Sequence, residues 1–148
     1  MKVLKFGGTS VADSKSINNV ISILKNNDEA LFIIVSALGG ITNLLQKCIV
    51  SKGKSVDGII NEIEKRHLEV IDNLSSLDKQ SSLKSFLKQN LNELEDILDA
   101  ISTIDEVTNK IISKVLTLGE ILSSSIIYEI LKQKGFNISY IDSRDLIF

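Results

Sequence analysis

One pattern occurs twice near the start of this chain and limits its folding more than anything else in it. An apolar run of β-forming residues stops at a pair of glycines, and an amphipathic helical stretch follows. The first copy is Val3-Leu4-Lys5-Phe6, then Gly7-Gly8, then Ile17, Val20, Ile21 and Leu24 at helical spacing. Asp13 or Ser14 can cap that helix, and Asn26-Asn27-Asp28 supplies turn chemistry at its end. The second copy is Ala30–Val35, then Gly39-Gly40, then a helix over about 41–50. The run at 30–35 is continuous and rich in β-branched residues, which predicts a strand buried on both faces, as parallel strands are. Strand–loop–helix repeated in this order predicts an α/β three-layer sandwich with a mainly parallel sheet.

The middle of the chain has a different period. Val56, Ile59, Ile60, Ile63, His67, Val70, Ile71 and Leu74 form one helical stripe. Leu83, Phe86, Leu87, Leu91, Leu94, Ile97, Leu98, Ile101 and Ile104 form another, beyond the polar turn at Ser75-Ser76. Together they predict an antiparallel helical hairpin packed on the main body, with an oligomer contact as its other use. Thr117-Leu118-Gly119-Glu120 fits a capping box opening one more helix, which Gly135 ends. Phe136, Ile138 and Tyr140 alternate as a strand returning to the sheet, and Asp142–Asp145 reads as a loop.

Composition removes several classes of function. The formal net charge of −2 and the 5% aromatic content argue against a nucleic-acid surface. One cysteine and one histidine cannot build a zinc site or a disulfide framework, so no metal site is expected from the protein's own side chains. Cys48 reads as a small buried hydrophobe. His67, in Glu64-Lys65-Arg66-His67, reads as a helix-surface residue. No leader-like apolar segment and no bilayer-length apolar stretch is apparent, so no membrane partner is expected and the cytoplasm is the expected location.

Three segments can carry chemistry. In Lys5-Phe6-Gly7-Gly8-Thr9-Ser10, glycines without Cβ let backbone amides approach an anion, with Lys5 and the hydroxyls of Thr9 and Ser10 beside them. The lysine precedes the glycines, so this is not a P-loop, and the G-x-G-x-x-G fingerprint is missing. The alternative is a plain Gly-Gly turn with a surface lysine. In Ser36-Ala-Leu-Gly-Gly-Ile-Thr42-Asn43, Ser36 and Thr42 could donate to a carboxylate, although Thr42 could equally cap a helix. Two loops that each end a strand of one parallel sheet should open on the same side. Glu120, in the third segment, reads locally as a capping residue.

Taken together, Met1–Ala12, Ser36-Ala37 with Gly40-Ile-Thr-Asn-Leu44, Leu118-Gly-Glu120 and Tyr140-Ile-Asp-Ser-Arg144 resemble, in order and from end to end, the N-terminal part of aspartokinases in the amino-acid kinase family. The likeness is strongest to the kinase portion of bifunctional aspartokinase–homoserine dehydrogenases. It implies an aspartate kinase, making 4-phospho-L-aspartate from ATP and L-aspartate with magnesium, at the head of lysine, threonine and methionine synthesis. By the family pattern Lys5 would be catalytic and would contact the transferring phosphate. Gly7, Gly8 and Ser10 would bind ATP phosphates, and Ser36, Thr42 and Glu120 would hold aspartate. Residues 1–148 would be the N-terminal lobe of such a domain, with a helical insertion at about 55–104. The nucleotide-binding half, ACT domains and dehydrogenase module are not seen in the sequence. The chain alone is therefore expected to have little or no kinase activity, and to act with a complementary C-terminal half or as a homo-oligomer. The alternatives are a non-catalytic aspartate-binding or assembly fragment, or another amino-acid kinase, acting on acetylglutamate or carbamate.

Overall fold

A computed structural model describes residues 1–146. Its strands are β1 (Lys2–Phe6) and β2 (Leu31–Val35), paired in parallel with Val3 opposite Phe32 and Lys5 opposite Ile34. Its helices are α1 (Ser14–Lys25), α2 (Ile41–Val50), α3 (Asp57–Leu74), α4 (Leu77–Ile104) and α5 (Asn109–Gln133). The α/β class and the parallel sheet are as the sequence predicts.

Local chemistry sets most boundaries. Asp13 caps α1 by accepting from the Ser16 amide at 2.8 Å. Gly135, at φ +88°, turns the chain out of α5 in the left-handed region that glycine reaches without a Cβ penalty. The hairpin forms as expected: α3 lies on α4, joined by Ser75-Ser76, and α3 also touches α1, α2 and α5. Its stripes supply the centre of the core, where Ile63, Ile71, Leu87, Leu91, Leu94, Leu98 and Ile101 are almost fully buried. The Gln133 side chain ties α5 to the hairpin tip, its Oε1 accepting from the Ser76 amide at 2.8 Å and from the Ser75 hydroxyl at 3.1 Å.

Four expectations change. β2 is covered on one face only. Leu31, Ile33 and Val35 pack on the core, while Phe32 and Ile34 stay 46% and 50% exposed. A continuous apolar run cannot distinguish a half-covered strand from a fully covered one, because both faces read alike. The segment 136–142 makes no strand. Phe136 and Ile138 pack on the core, and Tyr140 leans on α5, its ring 5.6 Å from that of Tyr128 and its hydroxyl 3.0 Å from that of Ser124. These contacts hold the segment against the helix and not in the ladder of β2. Thr117 does not open a helix. α5 begins two turns earlier, where Thr108 caps it through the Ile111 amide at 3.3 Å, because Ile111, Ile112 and Val115 continue the apolar face. His67 is fully buried, since α3 is enclosed by its neighbours and His67 follows Ile63 on its inward face.

By length and composition α5 could cross a membrane. Here Leu118, Leu122, Ile126, Ile130 and Leu131 instead bury that apolar face in the core. Cys48 is buried as expected, and desolvation pushes its thiol up to about 11, which keeps it protonated and inert near neutrality.

Candidate functional site

The two glycine-bearing loops leave adjacent parallel strands at their carboxyl ends, and they touch. A Cβ on Gly39 would stand 2.7 Å from Ala12 Cβ and 3.1 Å from the Gly8 carbonyl oxygen. A Cβ on Gly8 would lie 3.5 Å from the Ala37 carbonyl oxygen. The loops thus pack backbone against backbone, which leaves no room for a side chain at Gly39. After Gly7 the chain turns at once, with the Ser10 amide donating to the Gly7 carbonyl at 2.9 Å. The second loop turns through the Ile41 amide on the Leu38 carbonyl at 3.0 Å, and Gly40 takes φ +80° to start α2.

Beside these loops, a cleft of ≈ 600 Å³ opens along β2 between α5 and the segment 137–144. Lys5, Ser36 and Glu120, from three separate segments, all line it. So do Thr117, Tyr128, Asp142 and Arg144. The structure therefore brings together one residue from each sequence-predicted segment. Gly7, Gly8, Ser10 and Thr42 do not line the cleft. Gly7, Gly8 and Ser10 follow Lys5 directly in the first loop, while Thr42 is exposed on the first turn of α2.

Charge in the cleft is arranged unevenly. Among the described residues neither Lys5 nor Glu120 takes part in an ion pair. Arg144 is committed to Asp142, which it meets through Nη2 at 2.5 Å and Nε at 3.0 Å. Those hydrogen bonds, with the Arg144 amide, hold the Asp142 carboxyl below the usual carboxylate range and raise the Arg144 guanidinium. A cation and a carboxylate without internal partners suit ligands of both signs, with Lys5 for an anionic group and Glu120 for an ammonium.

Glu120 reaches the cleft for a reason other than capping. It lies in the middle of α5, and the glycine before it lets that helix come close to α2. A Cβ on Gly119 would be 3.1 Å from Leu45 Cδ1 and 3.2 Å from Ala37 Cβ. One helical position on, Glu120 is exposed to the cleft. Further along α5, the buried Ser123 donates its hydroxyl to the Ser36 carbonyl, fixing the start of the second loop against the helix. Ser36 is then held by its backbone, with its amide on the Phe6 carbonyl at 3.1 Å.

Sequence reasoning missed Ser123 and, on α3, Arg66 and Glu69, whose side chains hydrogen-bond the Gly39 carbonyl and Ser14 respectively. Ser123 looks like one of three serines in a row. Arg66 and Glu69 look like the wet face of a packing helix. No local signal could have marked them, because each acts on a residue far away in sequence.

The chain belongs to the amino acid kinase family, whose pattern matches residues 1–148. It is similar to the bifunctional aspartokinase/homoserine dehydrogenase of Buchnera aphidicola, at 30% identity over 96% of this chain and 18% of that protein. It is also similar to the aspartokinase of Chlamydia pneumoniae, at 31% identity over 98% of this chain and 30% of that one. Its fold superposes on E. coli aspartokinase III in complex with aspartate and ADP with a TM-score of 0.83, at 22% identity, covering 97% of this chain and 31% of the other. The chain thus spans less than a third of each of these proteins.

Proposed function

We propose that these residues form the aspartate-holding and phosphate-aligning part of an aspartate kinase. The observation that carries the reading is one cleft lined by Lys5, Ser36 and Glu120, beside two glycine loops in backbone contact. The relatives are aspartokinases, and one fold neighbour was solved with aspartate and ADP.

The chemistry fits the residues. The side chain of free aspartate has an unperturbed pKa of about 3.9, so it is already ionised near neutral pH. Its carboxylate oxygen can attack the γ-phosphorus of ATP without a general base. The bond between that phosphorus and the bridging oxygen breaks, and ADP leaves with the electron pair. The difficulty is aligning two anions and neutralising charge in the transition state. Lys5 would offset charge on the transferring phosphate, with Gly7, Gly8 and Ser10 offering amides and a hydroxyl alongside. Ser36 and Thr42 would hold a carboxylate of aspartate, and Glu120 its ammonium. The backbone-tight loops fit a phosphate cradle, because bare amides can reach an anion only where no Cβ intervenes. Among the described residues no three acidic, histidine or cysteine side chains group as a metal site. Magnesium would arrive bound to the nucleotide phosphates, its usual partners in phosphoryl transfer.

Isothermal calorimetry of the 148-residue chain with L-aspartate tests this reading. Saturable binding is expected, weakened at least about tenfold by Glu120→Ala, which removes a charge-assisted contact to the ammonium, and little changed by Lys5→Ala, whose partner is the transferring phosphate. Thermal stability should not change, because both side chains are exposed. Absence of binding by the unaltered chain would sink the proposal. ATP-dependent turnover is expected to be slight, because the chain spans under a third of its relatives. A coupled assay showing ordinary turnover would refute that part.

A second reading rests on the exposed sheet face. Val3, Phe32 and Ile34 lie uncovered beside Lys5, as they would in a chain that binds aspartate but becomes catalytic only when a complementary segment packs on that face.

A further inference from the structure

Helix α3 lies outside the cleft, yet one turn of it holds the second glycine loop and the start of α1, where the first loop ends. The Arg66 guanidinium donates from Nη1 to the Gly39 carbonyl at 2.8 Å. Its Nε donates to Glu62 Oε1, also at 2.8 Å, so the fork is held in one orientation. Gly40 leaves the space this contact needs: a Cβ there would sit 2.6 Å from Arg66 Nη1, at a backbone φ of +80°. Three residues further along the same face, Glu69 holds the first loop where it enters α1. It accepts from the Ser14 hydroxyl at 2.5 Å and from the Ser14 amide at 3.2 Å. Asn73 steadies that carboxylate from the next turn, donating from Nδ2 at 3.2 Å. A carboxylate at the first turn of α1 is also favoured by the helix dipole.

We propose that Arg66 and Glu69 are positioning residues: a single rigid helix fixes the separation of the two loops, and with it the alignment of the groups those loops present. The inference rests on the proposed function for what the loops hold, but its structural part stands apart from it. Neither residue lines the cleft, so both act through the loops. The loops already touch at Gly8 and Gly39, so a slip of either one shifts the other. Transfer between two anions tolerates little misplacement, and a displacement of about 1 Å can be costly. The hairpin, which by its stripes looks like pure packing, thereby becomes part of the site's geometry.

Amide hydrogen exchange and L-aspartate calorimetry on the full chain test this, using Arg66→Ala, Arg66→Lys, Glu69→Ala and Glu69→Gln. Arg66→Ala is expected to raise exchange over 38–42, and Glu69→Ala over 8–16, roughly tenfold or more in each case. Protection in α4 and α5 should be unchanged. Both alanine variants should weaken L-aspartate binding, Arg66→Ala more, because it frees the loop that runs from Ser36 into the start of α2 at Thr42. Arg66→Lys should not restore affinity, because a single ammonium cannot reproduce the fork between Gly39 and Glu62. Glu69→Gln should restore part of the protection, since its carbonyl can still accept from Ser14. Unchanged exchange in both loops would overturn the proposal. So would a uniform rise that includes α4 and α5, or loosened loops with unaltered affinity. If the unaltered chain binds no aspartate, the proposed function fails, and the exchange pattern still decides whether the clamp exists.

Discussion

The helical half and the sheet half of this molecule are finished to different degrees. Around α3, α4 and α5 the side chains interlock, and Val70, Ile71, Leu98 and Ile130 have no exposure at all. The two-stranded sheet has one face on that core and the other open, with Val3 at 62% and Ile34 at 50% exposed. The closed half supplies stability, and the open half supplies reactive surface. Lys5 belongs to the open face, in register with Ile34, while its strand neighbours Leu4 and Phe6 turn inward. The site therefore stands at the seam, where loops anchored in the packed scaffold by Val11, Ala37 and Leu38 leave Thr9, Ser10 and Gly40 exposed.

The contrast predicts unequal costs for equal chemical insults. Leu98→Ala should be the most damaging, at about 2–5 kcal/mol in urea unfolding, because a fully buried leucine leaves a cavity its neighbours cannot collapse to fill. A loss below about 1 kcal/mol would mean that the helical half is looser than its burial implies.

The next effect belongs to His67, which lies in the same closed half. Its Nδ1 faces the Ile63 carbonyl at 2.7 Å, and its Nε2 has no partner among the described residues. Desolvation, partly offset by that hydrogen bond, brings its pKa down to about 4 from an ordinary value of 6.5. The unfolded chain then binds a proton that the folded chain refuses between these two values. Stability from this group is complete above pH 6.5 and is lost as pH falls towards 4, by on the order of 3 kcal/mol in all. His67→Leu should flatten the fall between pH 6.5 and 4.5. Equal slopes for the two proteins would show that the ring is solvated and that the closed half is not closed there.

What could be read beforehand divides along the same line. The hairpin was legible because its stripes are local, repeating every three or four residues along one face. The two glycine loops were legible because strand order in a parallel sheet dictates where loops open. The charged neighbours of His67 suggest a surface position, but it continues the buried stripe from Ile60 and Ile63 to Val70. The coverage of β2 was not legible, since Phe32 and Ile33 are equally apolar and only tertiary structure decides which one meets water. Glu120 was recognised as a candidate, yet its local reading as a cap was wrong. It stands in mid-helix because α5 already begins at its Thr108 cap, and Gly119 before it brings that helix against Leu45 and Ala37. The Arg66 and Glu69 contacts span 27 and 55 residues, and no window on the chain contains both ends.

The smallest effect tests the open half directly. Ile34→Thr keeps a β-branched residue in the strand, so propensity changes little and mainly the covering of the face is probed. With half of Ile34 already in water, the substitution should alter unfolding free energy by about 0.5 kcal/mol or less. Such indifference, beside several kcal/mol at Leu98, would establish that the two halves differ as their burial implies. A cost above about 1.5 kcal/mol would mean that the face is covered in solution, by association of the chain with itself or by closure of the segment 137–142 over β2. Repeating the measurement across a hundredfold range of protein concentration separates these, because only self-association makes apparent stability depend on concentration.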